Sequence, residues 1–148
     1  MQDFDPNHVD TPVLARIGQK IVIFNDKNEV LFLRRSQKCT RAGGWDFPGG
    51  GIELGEDPTQ AIIRETLEET LLVTTNIEPI HLESSVDNHG NFTIMVGYMT
   101  KIPSLTPSLS WEHDAYQWLN IDEALKIELP QAHRKFLEKI FEKSKREI

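Results

Sequence analysis

The stretch RETLEET, residues 64–70, sets Glu65, Glu68 and Glu69 at positions i, i+3 and i+4. On a helix of 3.6 residues per turn these project within an arc of roughly 100°, so three carboxylates crowd one stripe. Like charges at this spacing cost about 0.2–0.5 kcal/mol per pair. One reading is a solvated acidic face with Arg64 as its counterion. The other starts from the upstream run WDFPGGGIELGEDP, residues 45–58, whose glycines forbid a helix and suit a loop where backbone approaches something closely. Mg²⁺ takes one or two carboxylates and keeps its other positions for waters and substrate phosphates. A carboxylate stripe facing a glycine loop with free carbonyls supplies such oxygens and leaves the shell open.

The charge distribution bears on the choice. The chain of 148 residues carries a net charge of −7. Between Trp45 and Glu83 there are nine acids against one base, a local −8; the remaining fourteen acids and fifteen bases leave +1. The acidic excess therefore sits in one segment. A net negative surface repels nucleic acid polymers and anionic membranes. No apolar run approaches the ~20 residues that span a bilayer, and the polar start MQDFDPNHVD lacks the features of a signal peptide. Cys39 is the only cysteine, which excludes an internal disulfide or a thiolate cage and fits a reducing cytoplasm.

The order of elements follows from periodicity. Residues 1–12 read as a loosely held arm and 13–148 as one domain. Ile21–Phe24 and Val30–Leu33 are apolar on both faces, which predicts strands covered on each side. Asp57 as N-cap, Pro58 in the first helical position and Gln60 closing a capping box predict a helix from Pro58 to about Leu71. Ile80–Val86 and Phe92–Tyr98 flank DNHGN as a hairpin. A short strand at Tyr116–Leu119 and a short helix capped by Asn120 or Asp122 follow. From Pro130, the spacing of Ala132, Phe136, Leu137, Ile140 and Phe141 predicts an amphipathic helix. Strands and helices in this order favour an α/β fold, a mixed sheet between helices.

Residues 50–72, GGIELGEDPTQAIIRETLEETLL, resemble the box of the Nudix hydrolase superfamily. Gly50, Glu56, Arg64, Glu65, Glu68, Glu69 and Leu72 fall on its pattern, and WDFPGG is similar to its usual lead-in. Two positions depart: Thr66 replaces an aliphatic, and Leu71 stands where the family has a helix-ending glycine. The resemblance implies a Nudix-type α/β/α sandwich and hydrolysis of a nucleoside diphosphate linked to another moiety. It implies Glu65 and Glu69 as main ligands to Mg²⁺, with Mn²⁺ as a substitute. Glu68 is a further ligand or water contact, the Gly49 carbonyl completes one site, and Arg64 holds Glu65. Glu112, ahead of Trp118, is similar to a later loop acid that assists the water or a second metal. The proton-accepting carboxylate is Glu65, Glu68 or Glu112. Glu56 belongs to the helix start, where its charge complements the macrodipole.

For the substrate, Arg34, Arg35, Lys38 and above all Arg41 are placed to grip phosphates, Phe47 or Trp45 to stack on a base, and His133 to contact it. The proline and tyrosine that mark two subfamilies are missing from Asp87–Gly90, and the length is closest to MutT-like nucleoside triphosphate pyrophosphohydrolases. Nucleotide-sugar hydrolysis and a binding module that senses a nucleotide without cleaving it are the alternatives. The arm and the hairpin offer edges for a homodimer. His8, His81, His89 and His113 show no zinc spacing and receive no role.

Overall fold

The computed structural model describes residues 5–146. The first four residues of the arm lie outside that range; residues 5–12 are exposed and form no strand or helix. Nine elements follow: β1 (Arg16–Phe24), β2 (Val30–Arg35), β3 (Trp45–Asp46), α1 (Pro58–Thr70), β4 (Glu78–Val86), β5 (Phe92–Lys101), β6 (His113–Leu119), α2 (Ile121–Ala124) and α3 (Gln131–Arg146). The strands run in the order β3-β2-β1-β5-β4, with β6 also pairing β2. β1 and β5 are parallel, from Arg16 opposite Thr93 to Phe24 opposite Lys101, and the other pairs are antiparallel. The mixed sheet of the sequence reading is therefore present.

The unbroken apolar runs of β1 and β2 are explained by two cores. Ile21, Ile23, Leu31 and Leu33 face Ile62 of α1, with Leu72 and Tyr98. Their neighbours Val22, Phe24, Val30 and Phe32 face the opposite way, against Phe136, Leu137 and Ile140 of α3. Alternate side chains of a strand point to opposite faces, so a sheet with helices on both sides needs apolar residues at every position.

Local signals set the helix ends. Asp57 accepts a hydrogen bond from Gln60 N at 3.0 Å, and Pro58 occupies the first turn. α1 stops at Leu71, whose φ of 55° is left-handed and whose N–H reaches Leu67 O. The conformation that a glycine would adopt freely is thus kept with a leucine, at a cost on the order of 1 kcal/mol. At α2 the cap is Asn120, reciprocated by Glu123. The strands overrun their predicted ends. β1 begins at Arg16 rather than Ile21, which brings Gln19 and Lys20 into the sheet, and β6 begins at His113 rather than Tyr116. Arg34 and Arg35 form the end of β2.

Candidate active site

The site is built where the glycine loop lies against β1. Gln19 N donates to Gly50 O at 2.8 Å and Ile21 N to Pro48 O at 2.9 Å, so residues 48–50 run beside β1. Gly49 has φ 139°, and a Cβ there would fall 2.1 Å from Gln19 O. At Gly50 a Cβ would meet Glu65 Oε2 at 2.5 Å. Side chains are excluded at both positions because strand backbone closes one side and a carboxylate the other.

Glu69, in the last turn of α1, is 4% exposed and accepts a hydrogen bond from Gly49 N at 2.9 Å. Burial pushes its carboxyl up to about 8, with Glu112 adding to the rise and Lys20 and the Gly49 N–H opposing it. Glu112 is held by the backbone: Ser36 N donates to its carbonyl at 2.8 Å, and Ser110 N donates to Glu69 O at 3.1 Å. β6 then carries a bulge. Arg34 pairs with Ala115 but Arg35 pairs with His113, so Asp114 is extra and the strand end turns. As a result Glu69, Glu112 and His113 offer ligand atoms within 4.8 Å of one another. His113 is 4% exposed, and neither ring nitrogen has a hydrogen-bond partner among the described residues. Burial, then Lys20, holds its imidazole below the usual value.

On the open side, Arg64 gathers the other carboxylates. Its Nε and Nη2 bind Glu56 at 2.7 and 3.0 Å, and Nη1 lies 2.9 Å from Glu65 and 3.3 Å from Glu68. Arg64 thus holds Glu65, as the resemblance implies. Glu56, one residue before the Asp57 cap, is also held by this pair. Glu65, Glu68 and Glu56 gather around Arg64, while Glu69 and Glu112 meet beneath the glycine loop. A hard divalent cation fits this arrangement. The donors are mainly carboxylate and carbonyl oxygens, Glu69 is a dry carboxylate whose charge burial opposes, and His113 is a buried ring without partners.

A second cluster surrounds Asp46, which is fully buried. Lys20 Nζ and Arg41 Nη2 each lie 3.1 Å from Oδ2, Arg35 Nη1 is at 3.5 Å, and His133 Nδ1 is 3.1 Å from Oδ1. Burial alone would raise the Asp46 carboxyl, but Lys20 and His133 outweigh it and hold it far below the ordinary range. Lys20 also reaches Phe47 O at 3.1 Å and Gly49 O at 3.4 Å, linking this cluster to the glycine loop.

Two substrate expectations are corrected here. Phe47 is fully buried, 5.2 Å from the Phe32 ring, and presents no face for stacking. His133 is 5% exposed, packed between Phe47 and Phe136, and is committed to Asp46 rather than to a base. Burial of a strand end behind α3 is non-local, and no local pattern announces it. Arg34 pairs with Asp114 at 2.7 Å. Arg41 and the half-buried Trp45 line a cleft of about 510 Å³ with Leu129 and Pro130. The sequence reading gave no role to Lys20, Asp46 or His113. The available signals were a lysine entering an apolar strand and a histidine directly following Glu112.

The NUDIX domain model matches residues 15–140. Over 48 residues the chain is 46% identical to an 8-oxo-dGTP diphosphatase of Escherichia coli K12, covering 32% of this chain and 37% of that protein. It is 43% identical over 54 residues to an RNA pyrophosphohydrolase of Blochmanniella floridana, covering 36% of this chain and 32% of the relative. The matches span about a third of the length of these curated relatives. A MutT protein from Methanosarcina mazei Go1 superposes with a TM-score of 0.79 at 28% identity, over 93% of this chain and 99% of that one.

Proposed function

The chain belongs to the NUDIX domain family, and from that premise we propose that it is a divalent-metal-dependent hydrolase of a small nucleoside diphosphate derivative, in the manner of MutT-like nucleoside triphosphate pyrophosphohydrolases. The observation that carries the reading is Glu69: a buried carboxylate, anchored by the Gly49 N–H and brought against Glu112, is costly unless a cation balances it. Glu65, Glu68, Glu69, Glu112 and the Gly49 carbonyl are the oxygens that would hold Mg²⁺. Such an ion supplies positive charge against phosphate oxygens that gain negative charge in the transition state.

The chain's own groups do the rest. Lys20 fixes the Gly49 carbonyl, and Arg64 keeps Glu65 and Glu68 aimed together. A carboxylate of Glu65, Glu68 or Glu112 accepts the proton of the attacking water. Arg41, tethered to Asp46 yet 46% exposed, grips a phosphate, with Arg34 further out. Trp45, in the same cleft, takes the stacking role assigned to Phe47. Such a small-molecule enzyme works in the cytoplasm, where Cys39 remains a thiol, and a homodimer would form through the unpaired edge of β4.

The test is a panel of nucleoside triphosphates and nucleotide sugars incubated with Mg²⁺. Turnover that falls by about 10²-fold or more in Glu69→Gln is expected, from loss of a charge-balancing ligand. Absence of turnover across the panel, with tight nucleotide binding by calorimetry, would instead establish a sensor.

A further inference from the structure

Resting on the metal-dependent reading above, we propose that His113 is a ligand as well. Glu69, Glu112 and His113 form a mixed oxygen–nitrogen site that selects Mn²⁺ or Co²⁺ over Mg²⁺. A grouping of acids would not by itself suggest this. The second observation is the ring: His113 is 4% exposed, and among the described residues both nitrogens lack a hydrogen-bond partner. An imidazole in the interior ordinarily satisfies at least one nitrogen, because a buried polar atom left unpaired loses its water without replacement. An ion between the two carboxylates would give one of these nitrogens its partner, since one ligand atom each of Glu69, Glu112 and His113 lies within 4.8 Å of the others. That spacing spans the ligands of one ion at about 2.1–2.4 Å.

The fold produces this placement with two devices. The bulge at Asp114 turns the start of β6, and hydrogen bonds from Ser110 N to Glu69 O and from Ser36 N to Glu112 O fasten the preceding loop to α1 and β2. Glu112 and His113 are consecutive, so in a regular strand they would face opposite ways. Their convergence on Glu69 requires the irregular turn. Nitrogen ligation has a chemical consequence. Mg²⁺ prefers oxygen and dehydrates reluctantly, whereas imidazole raises affinity for later divalent ions in the order Mn²⁺ < Co²⁺ < Ni²⁺.

Pulsed electron paramagnetic resonance of Mn²⁺ bound to the unmutated protein reads the ligand directly. We expect ¹⁴N coupling to bound Mn²⁺, a changed pattern when histidine is ¹⁵N-labelled, and loss of coupling in His113→Gln. Calorimetry with MnCl₂ and MgCl₂ should show a Mn²⁺ preference that falls by about tenfold in the variant. A spectrum without nitrogen coupling, or coupling that persists in His113→Gln, overturns the proposal, as does an unchanged Mn²⁺/Mg²⁺ ratio. If His113→Gln misfolds, His113→Asn takes its place, because the labelled unmutated protein reports that a histidine binds and only a variant at 113 reports which. The two readings fail separately. Turnover abolished by Glu69→Gln with oxygen-only coordination removes His113 as a ligand and leaves the hydrolase intact. Nitrogen coupling without turnover of any nucleotide does the reverse.

Discussion

Around Arg64 one guanidinium meets three carboxylates; around Asp46 one carboxylate meets two guanidiniums, an ammonium and an imidazole. The two clusters are mirror images in charge but not in environment. Glu68 is 58% exposed, so water screens the surplus anion, while Asp46 has no exposure and its surplus cations rely on it. Lys20 stands between them, bonded to Asp46 on one side and to the Gly49 carbonyl on the other. The difference teaches that unbalanced charge is tolerated in opposite senses on the two flanks of the glycine loop, negative on the flank proposed to hold a cation and positive on the flank proposed to grip a phosphate.

The contrast in burial is broken hardest at Asp46. Asp46→Asn removes the charge that balances Lys20, whose side chain is 11% exposed and unable to turn to water, whereas Arg35 and Arg41 can. A loss of about 3–5 kcal/mol in urea unfolding is expected. Restoration of much of it in Asp46→Leu with Lys20→Met would assign the loss to the stranded ammonium. A loss under about 1 kcal/mol would mean the hub is wetter than its burial indicates.

On the acidic side, pH sharpens the comparison. In protein stripped of divalent ions, Glu69 keeps its proton up to about 8, against 4.5 for an ordinary glutamate. The folded state therefore binds more protons between those values, and stability falls as pH rises through the window and levels off above it. His113, held below 6.5, acts in the opposite direction at lower pH, so the upper part of the window belongs to Glu69. Melting curves in chelator should lose on the order of 5 °C between roughly pH 6.5 and 9. Millimolar Mg²⁺ should abolish the decline, and Glu69→Gln should flatten it. A flat profile in the chelated wild type would show that Glu69 is ionised without a metal.

The smallest effect concerns the end of the acidic helix itself. Leu71 is 64% exposed at φ 55°, so Leu71→Gly relieves strain while removing little packing. A gain of about 0.5–1 kcal/mol is expected, partly offset by unfolded-chain entropy. A loss of stability would mean that the Leu71 side chain packs more than its exposure suggests.

Much of this was legible in the chain. The cap Asp57–Pro58, the left-handed stop at residue 71, the DNHGN hairpin and the two faces of Ile21–Phe24 all follow from interactions a few residues apart. The glutamate spacing placed three carboxylates on one helical stripe for the same reason. Phe47 and His133 were misjudged because each owes its character to partners far along the chain, Phe47 to His133 and His133 to Asp46.

Glycine placement, helix spacing and apolar periodicity are local steric facts, so the order of amino acids determined the α/β layering and the stripe of Glu65, Glu68 and Glu69. The tertiary structure alone decided that Glu69 is dry while Glu68 is wet, that Lys20, Asp46 and His133 meet, and that a bulge sets His113 beside two carboxylates. Desolvation and electrostatic pairing depend on everything within a few ångströms, and strand register brings together residues that the chain keeps far apart.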